Sequence, residues 1–290
     1  MSNQFILRLD SHMLSDFQRC KELGNLAHIQ GWKTQEVKQG MTRGTRWHRL
    51  MEFRAEFKNK RISWNEVITQ SIGYLAADGV SMEEIAFFIG KLSQYQVKWE
   101  EEENNYEFID NEVGFSKILY ENDEVLFIYE GKIDALLKIS GKLTVGDHKT
   151  QHPGFSSHRY DLPGYSNQFM GYCWAAKTSN VMIDYTSWSD PKNKISDRTF
   201  RREFHPLDPQ LIKRWKESTI RSYWDTLIAI RSNEFHLEFP HRCDSRYGMC
   251  EFFNVCQYID PRSKLITLNS NFKQEPRWEP WTHGEKDAEL

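Results

Sequence analysis

A mixed α/β fold with a helical lobe at its N-terminal end is the fold class this sequence predicts. Three observations carry that expectation. Up to about residue 105, apolar residues recur at three- and four-residue spacing, the period of a helix. From residue 106 the texture turns to β-branched and aromatic segments separated by turn residues. A helical stretch, two more strands and a long helix follow, and the order α, βββ, α, ββ, α implies a sheet covered by helices.

The elements follow in order. Helices are predicted at Met13–Leu23, Thr45–Lys58 and Met82–Glu103, and the run Glu100 to Glu103 reads as a solvated helix end. Strands are predicted at Tyr106–Tyr120, Val125–Ile139 and Leu143–Lys149, with turn signals at Glu121-Asn122-Asp123 and Ser140-Gly141. A helix over Tyr165–Lys177, strands over Val181–Ser189 and Thr199–His205, and a helix over Pro209–Ser232 complete the core. The domain organisation reads as a helical lobe over 1–105, an α/β core over 106–235, a cysteine-bearing region over 236–260 and a polar tail over 261–290. Trp278 and Trp281 are expected to dock locally within that tail.

Bulk properties exclude several classes. With 39% hydrophobic residues a packed core is feasible, and mean hydropathy is -0.69. No apolar run approaches the roughly 20 residues that span a bilayer. The start, Met1-Ser2-Asn3-Gln4, lacks a basic leader region, and Phe5-Ile6-Leu7 is too short for an apolar one, so a soluble cytoplasmic protein with no membrane partner is expected. The net charge of -3 argues against coating nucleic acid by bulk charge, yet leaves room for a local basic groove. Five cysteines, an odd number without a secretory leader, argue against a disulfide framework.

The chemistry concentrates on one hairpin. If Ser140-Gly141 is a two-residue turn, Asp134 and Asp147 stand opposite each other, at equal distances from the turn. Opposed like charges destabilise a hairpin, and a divalent cation would offset that cost. Alternation along the strand puts Lys149 on the face of Asp147. Hard oxygen ligands suit Mg²⁺ or Mn²⁺, and the adjacent ammonium is placed to hold a phosphate. An exposed ion network is the ordinary alternative, since acid-x-Lys alone is common. Two helical pairs flank this hairpin: His48 with Glu52, and Gln168 with Tyr172, each four residues apart and so on one helix face.

In series these pieces resemble a known signature. Gly44…His48, then Glu112, then Gly131-Lys132-Ile133-Asp134, then Asp147-His148-Lys149-Thr150, then Gln168…Tyr172 resemble the RecB-like branch of the PD-(D/E)XK nuclease superfamily. The resemblance covers residues 11 to 258, and it implies a restriction-endonuclease-like sheet flanked by helices. It implies that His48, Asp134, Asp147 and the backbone carbonyl of His148 bind the metal, and that Lys149 is catalytic with the two acids. Gln168 and Tyr172 would support the site and contact DNA, and Glu112 matches a recurrent acid of the family. Arg43, Arg46, Arg49, Arg201 and Arg202 are candidates for the DNA-entry surface.

Four cysteines form a second candidate centre. Cys20 lies early, and Cys243, Cys250 and Cys256 lie late. Four thiolates can hold a [4Fe–4S] cluster or a Zn²⁺. One early and three late cysteines resemble the iron–sulfur staple of RecB-like and CRISPR-associated exonucleases. The spacing Cys243-x6-Cys250 is wider than the usual C-x2-C, so zinc stays open. Cys173, beside Tyr172 in an apolar stretch, reads as core. The function implied is a DNA exonuclease acting on single-stranded ends in recombination, repair or CRISPR-type processing, with a helicase, recombinase or CRISPR integrase as partner. The alternatives are a phage-type double-strand exonuclease, a non-catalytic nuclease-fold adaptor and a zinc-stapled DNA-binding protein.

Overall fold

The structure is a computed structural model, and it describes residues 4–35, 39–151, 166–188, 199–238, 243–245 and 248–275. In chain order the elements are β1 (Phe5–Leu9), α1 (Ser11–Arg19), α2 (Lys21–Gly24), a π-helical turn (Asn25–Ile29), β2 (Trp32–Thr34), α3 (Gln39–Lys58), α4 (Trp64–Ala77), α5 (Met82–Glu103), β3 (Tyr106–Glu121), β4 (Val125–Ile139) and β5 (Lys142–Gln151). They continue with α6 (Asn167–Ala176), β6 (Asn180–Ser187), β7 (Phe200–Pro206), α7 (Pro209–Ser232), β8 (Asp244–Ser245), β9 (Gly248–Met249), α8 (Phe253–Cys256), α9 (Pro261–Asn271) and β10 (Phe272–Gln274). Six strands form one mixed sheet in the order β1-β4-β5-β6-β7, with β3 pairing β4. The predicted α/β class with a mixed, helix-flanked sheet is what the chain adopts.

The chain divides into two compact units. The first comprises Met1–Val37, Ser116–Gly131 and Lys213–His283. Here β1 runs parallel to the first half of β4, from Phe5↔Val125 to Leu9↔Tyr129. The Tyr223 hydroxyl of α7 donates to the carbonyls of Leu9 (3.1 Å) and Ile128 (2.7 Å), tying both strands to the helix. Helix α1 starts where Asp10 accepts from the backbone N–H groups of His12 and Met13, a capping arrangement that satisfies two of the otherwise orphaned donors. The predicted helix Met13–Leu23 is interrupted at Cys20, whose backbone is extended (φ -162°, ψ 126°). Early and late segments meet in this unit: β2 pairs with β10, and Phe252 stacks on Phe272 at 4.8 Å.

Among the described residues, the second unit is drawn from Lys38–Phe115 and Lys132–Ile212. Its core joins α3, α4 and α5 through Trp47, Leu50, Val67, Leu75, Phe88 and Tyr95, all fully buried. Helix α4, which the sequence reading did not name, opens with a capping box between Ser63 and Glu66. Strand β4 turns into β5 through Ser140 (φ +52°) and Gly141 (φ +76°), the positive pair that a tight hairpin demands. The predicted register follows, from Ile139↔Lys142 to Ala135↔Gly146. A Cβ on Gly146 would lie 3.1 Å from that of Ala135, so the small residue permits this close pairing. Strand β5 then pairs parallel with β6, and β6 antiparallel with β7.

Two expectations need correction. The run Glu100 to Glu103 is not wholly solvated: Glu103 is buried, because Arg54, Lys58 and Arg202 converge on it. Helix α9 and strand β10 occupy part of the segment read as a polar tail, whereas Trp278 and Trp281 lie outside the described residues. Among the described residues no helix is long and apolar enough to cross a membrane.

Candidate active site

The site forms in the second unit where β4 and β5 part. Their ladder ends at Ala135↔Gly146, one step short of Asp134 and Asp147. Beyond that point the backbone N–H of His148 donates to Asp134 Oδ2 at 2.9 Å. The side chains of β5 alternate between two neighbours. Asp147 and Lys149 meet α6, where Gln168 bonds both and the ammonium lies over the Phe169 ring. His148 turns the other way, its ring against His48 of α3 and Tyr95 of α5.

The predicted acid–acid–lysine set is therefore brought together with its helical partners. Lys149 Nζ stands 2.8 Å from Asp147 Oδ2 and donates to Gln168 Oε1 at 2.9 Å. Gln168 Nε2 lies 3.0 Å from Asp147 Oδ1 and 3.1 Å from the Tyr172 hydroxyl. His48 Nδ1 is 3.2 Å from Asp134 Oδ2. A Cβ on Gly44 would come 3.1 Å from Thr150 Oγ1, so the glycine one turn before His48 lets α3 approach β5. Glu112 pairs with Lys132, and its backbone is left-handed (φ +55°) in the middle of β3.

Electrostatics separates the two carboxylates. Burial raises Asp147 to about 6, with Asp134 adding to the effect and Lys149 opposing it. Burial works against the Asp134 anion too, but His48, His148 and Lys149 outweigh it and hold Asp134 below the usual carboxylate range. Burial would lower His48, yet Asp134 and Asp147 dominate and lift it to about 9. Glu112 is pushed up to about 7 by burial and then by Asp134 and Glu52. Burial drives His148 down to about 4. Burial and neighbouring charges thus force the titrations of the two carboxylates apart, a pattern that makes the hairpin a candidate functional site.

The other site residues named from sequence are placed differently. Arg46 bonds Asp78 at the end of α4 (2.6 Å), Arg43 bonds Glu84, Arg49 pairs with Glu52 and Arg201 with Glu203. Arg202 is no surface residue: its side chain is 2% exposed, between Asp184 and Glu103. Asp184 and Tyr95 adjoin the site and went unnamed, and Arg202 was named only as a candidate for the DNA-entry surface. A lone aspartate inside the apolar strand Val181–Ser187 was the available signal, since buried acids are almost always paired.

The four cysteines lie in the first unit, all partly buried and free. Cys20, Cys250 and Cys256 pack against one apolar cluster with Phe252, Val255 and Phe272. The Cys250 N–H donates to the Cys243 carbonyl at 2.7 Å. Burial pushes the Cys256 thiol up to about 12, and Glu22, Cys250 and Cys20 add to it, so three of the sulfurs are electrostatic neighbours. Cys173 is core, as expected. Among the described residues, no three His, Cys, Asp or Glu side chains close to the geometry of a metal site, at the hairpin or at the cysteines. At the hairpin the donor chemistry nonetheless fits a hard divalent ion, because a buried carboxylate (Asp147), a part-buried one (Asp134) and the His48 imidazole are gathered there beside Lys149 and Gln168.

A mixed sheet whose central hairpin carries two acids and a lysine, with a histidine helix on one side and a glutamine–tyrosine helix on the other, is the architecture of a restriction-endonuclease-like nuclease. The chain matches the model of the PD-(D/E)XK nuclease superfamily over residues 12–257, and it belongs to that superfamily. Among solved structures it is similar to SSO0001 (18% identity, 86% of this chain and 95% of that one, TM-score 0.31). It is also similar to a Eubacterium rectale protein named as a candidate exonuclease (11%, 87% and 88%, TM-score 0.47). A phage-related exonuclease from Haemophilus somnus 129PT is a third (16%, 78% and 97%, TM-score 0.29). No curated protein matches the chain.

Proposed function

We propose that this protein is a metal-dependent DNA exonuclease acting on single-stranded ends. The observation that carries the reading is the joined set of Asp134, Asp147, Lys149, Gln168 and His48 at the parting of β4 and β5. His48, Asp134, Asp147 and the His148 carbonyl would hold Mg²⁺ or Mn²⁺. Such an ion supplies positive charge to the phosphoryl oxygens and makes a neighbouring water more acidic. Lys149 then has a defined task. Its ammonium, fixed by Asp147 and Gln168, neutralises charge gathering on the phosphate as the water oxygen bonds to phosphorus and the bond to the departing oxygen breaks. Gln168 and Tyr172 orient Lys149 and offer neutral hydrogen-bonding groups to the DNA backbone. Glu112, which lines the same cavity as His48 and Asp134, would support the site, and Arg46, held by Asp78, would meet the DNA farther out. The resemblance to RecB-like nucleases extends the proposal to DNA from recombination, repair or CRISPR-type processing, with a helicase, recombinase or integrase as partner.

The same reading includes a [4Fe–4S] cluster on Cys20, Cys243, Cys250 and Cys256, supported by the packing of Cys20, Cys250 and Cys256 against one apolar cluster and by the backbone bond from Cys250 to Cys243. Zinc is the alternative occupant. Broad visible absorbance with stoichiometric iron supports the cluster, and a colourless protein with stoichiometric zinc overturns it.

End-labelled single- and double-stranded DNA incubated with Mn²⁺ and anaerobically purified protein tests the activity. The expected result is loss of single-stranded ends by the wild type and none by Asp134→Ala. Equal activity of the two proteins overturns the site, and exclusive use of double-stranded ends overturns the substrate.

A further inference from the structure

Behind the carboxylates, on the side of β5 that faces away from α6, lies a charged network with no part in the chemistry above. His148, Asp184 and Arg202 stand in one cross-strand row: His148 is the partner of Asp184, and Asp184 of Arg202. Arg202 grips Asp184 twice, Nε to Oδ1 at 2.6 Å and Nη2 to Oδ2 at 2.8 Å. The Tyr95 hydroxyl donates to Asp184 Oδ2 as well. Arg202 Nη2 also donates to Glu103 at 2.8 Å, and Glu103 in turn binds Arg54 and Lys58. Asp184, Glu103, Arg54 and the Arg202 side chain are at most 3% exposed.

Such a network is a poor way to stabilise a core. Burying ions costs several kcal/mol each, and apolar replacements of similar volume are often as stable. Its placement points instead to the active site. Asp184 Oδ2 lies 3.8 Å from His148 Nδ1, too far for a direct hydrogen bond. His148 Nδ1 is buried and has no hydrogen-bond partner among the described residues. A cavity of about 20 Å³ is lined by both residues, together with His48, Asp134, Tyr95 and Arg202. That volume accommodates one water, and the lining offers the two to four polar partners a buried water needs.

We propose that Asp184, locked by Arg202 and Tyr95, is a positioning residue that holds the His148 peptide in place through one water between its Oδ2 and His148 Nδ1. The inference rests on the metal-site reading given above. The His148 peptide is the element in question because its N–H fixes Asp134 and its carbonyl is one of the expected ion ligands. A ring anchored on one side of β5 would keep the peptide N–H on Asp134 and the carbonyl available to an ion. Outer partners of this kind typically change metal affinity by about 10–100-fold.

Mn²⁺ binding measured by calorimetry on the full chain tests this, comparing wild type, Asp184→Leu, His148→Phe and the double variant. His148→Phe keeps the peptide and the ring volume while removing Nδ1, so it reports even if Asp184→Leu fails to fold beside Arg202. The expected result is that each folded single variant binds Mn²⁺ about tenfold more weakly and the double variant no more weakly than either, because all three break one link. A folded single variant with wild-type affinity, or losses that add in the double variant, overturns the role of Asp184. Wild-type protein that takes up no Mn²⁺ overturns the reading of the metal site itself.

Discussion

Gln168 Nε2 lies 3.0 Å from Asp147 Oδ1 while Gln168 Oε1 accepts from Lys149 at 2.9 Å, so one amide bridges the acid and the base of the hairpin. The bridge fixes two long side chains in one geometry without adding charge. Gln168→Leu keeps the size and the helix propensity but breaks both bonds. We expect cleavage to fall about 10–100-fold, the scale at which loss of a positioned group is felt in catalysis. The melting temperature should stay within a few degrees. Rates on end-labelled DNA with thermal scans check this; a wild-type rate would show that the amide positions nothing.

His48 predicts how metal uptake depends on pH. Without a metal its imidazole is lifted to about 9, chiefly because Asp134 and Asp147 overcome the effect of burial. An ion must take neutral imidazole, so at pH 7 each ion bound displaces a proton. Affinity should rise with pH up to about 9 and then level off. Calorimetry in buffers of different ionisation enthalpy reads the proton directly, and identical heats in all buffers would contradict the assignment of His48. Replacement by Asn removes both the proton release and the upper part of the pH dependence.

Much of this site was legible because its parts are local. Ser140-Gly141 fixes a turn, the turn fixes a register, and the register brings Asp134 and Asp147 to one end of a ladder. Helical spacing alone pairs Gln168 with Tyr172. What was not legible depends on segments far apart in sequence. Glu103 looks like one more glutamate in an acidic run, and only Arg54 of α3 and Arg202 of β7 make it a core residue. Arg202 looks like a surface cation beside Arg201, yet strand alternation sends the two in opposite directions. Strand β1 escaped notice because five residues, Phe5–Leu9, carry little period of their own and gain their identity from pairing with β4.

Glu103 makes a prediction about acid stability. Burial works against its charge, but Arg54 and Arg202 outweigh it and lower the carboxyl from 4.5 to about 2. A depressed acid stabilises the fold above its unfolded value, and the contribution is lost as pH falls from 4.5 through about 2. At about 1.4 kcal/mol per pH unit, this gap corresponds to roughly 3 kcal/mol. Glu103→Gln should therefore cost on the order of 3 kcal/mol at pH 7, with the difference from wild type narrowing below pH 4.5. Urea midpoints at pH 7 and pH 3.5 measure it; a pH-independent difference would mean that packing, not charge, is what Glu103 contributes.

Glu112 holds a left-handed backbone, φ +55°, inside a strand of sixteen residues. A side chain with a Cβ is strained there by about 1–3 kcal/mol, and such strain persists where the surroundings impose it, most often at functional sites. Its carboxylate pairs with Lys132 and lies in the field of Asp134 and Glu52, and burial, followed by these two acids, raises it to about 7. Asparagine tolerates the left-handed region far better than glutamate. Glu112→Asn should thus be as stable as the wild type or more so, by up to about 1 kcal/mol, even though it loses the ion pair with Lys132. Its cleavage of DNA should fall at the same time. A variant both less stable and fully active would place Glu112 among the residues that hold the fold, and stability gained with activity lost would mark its backbone as strained for the sake of the site.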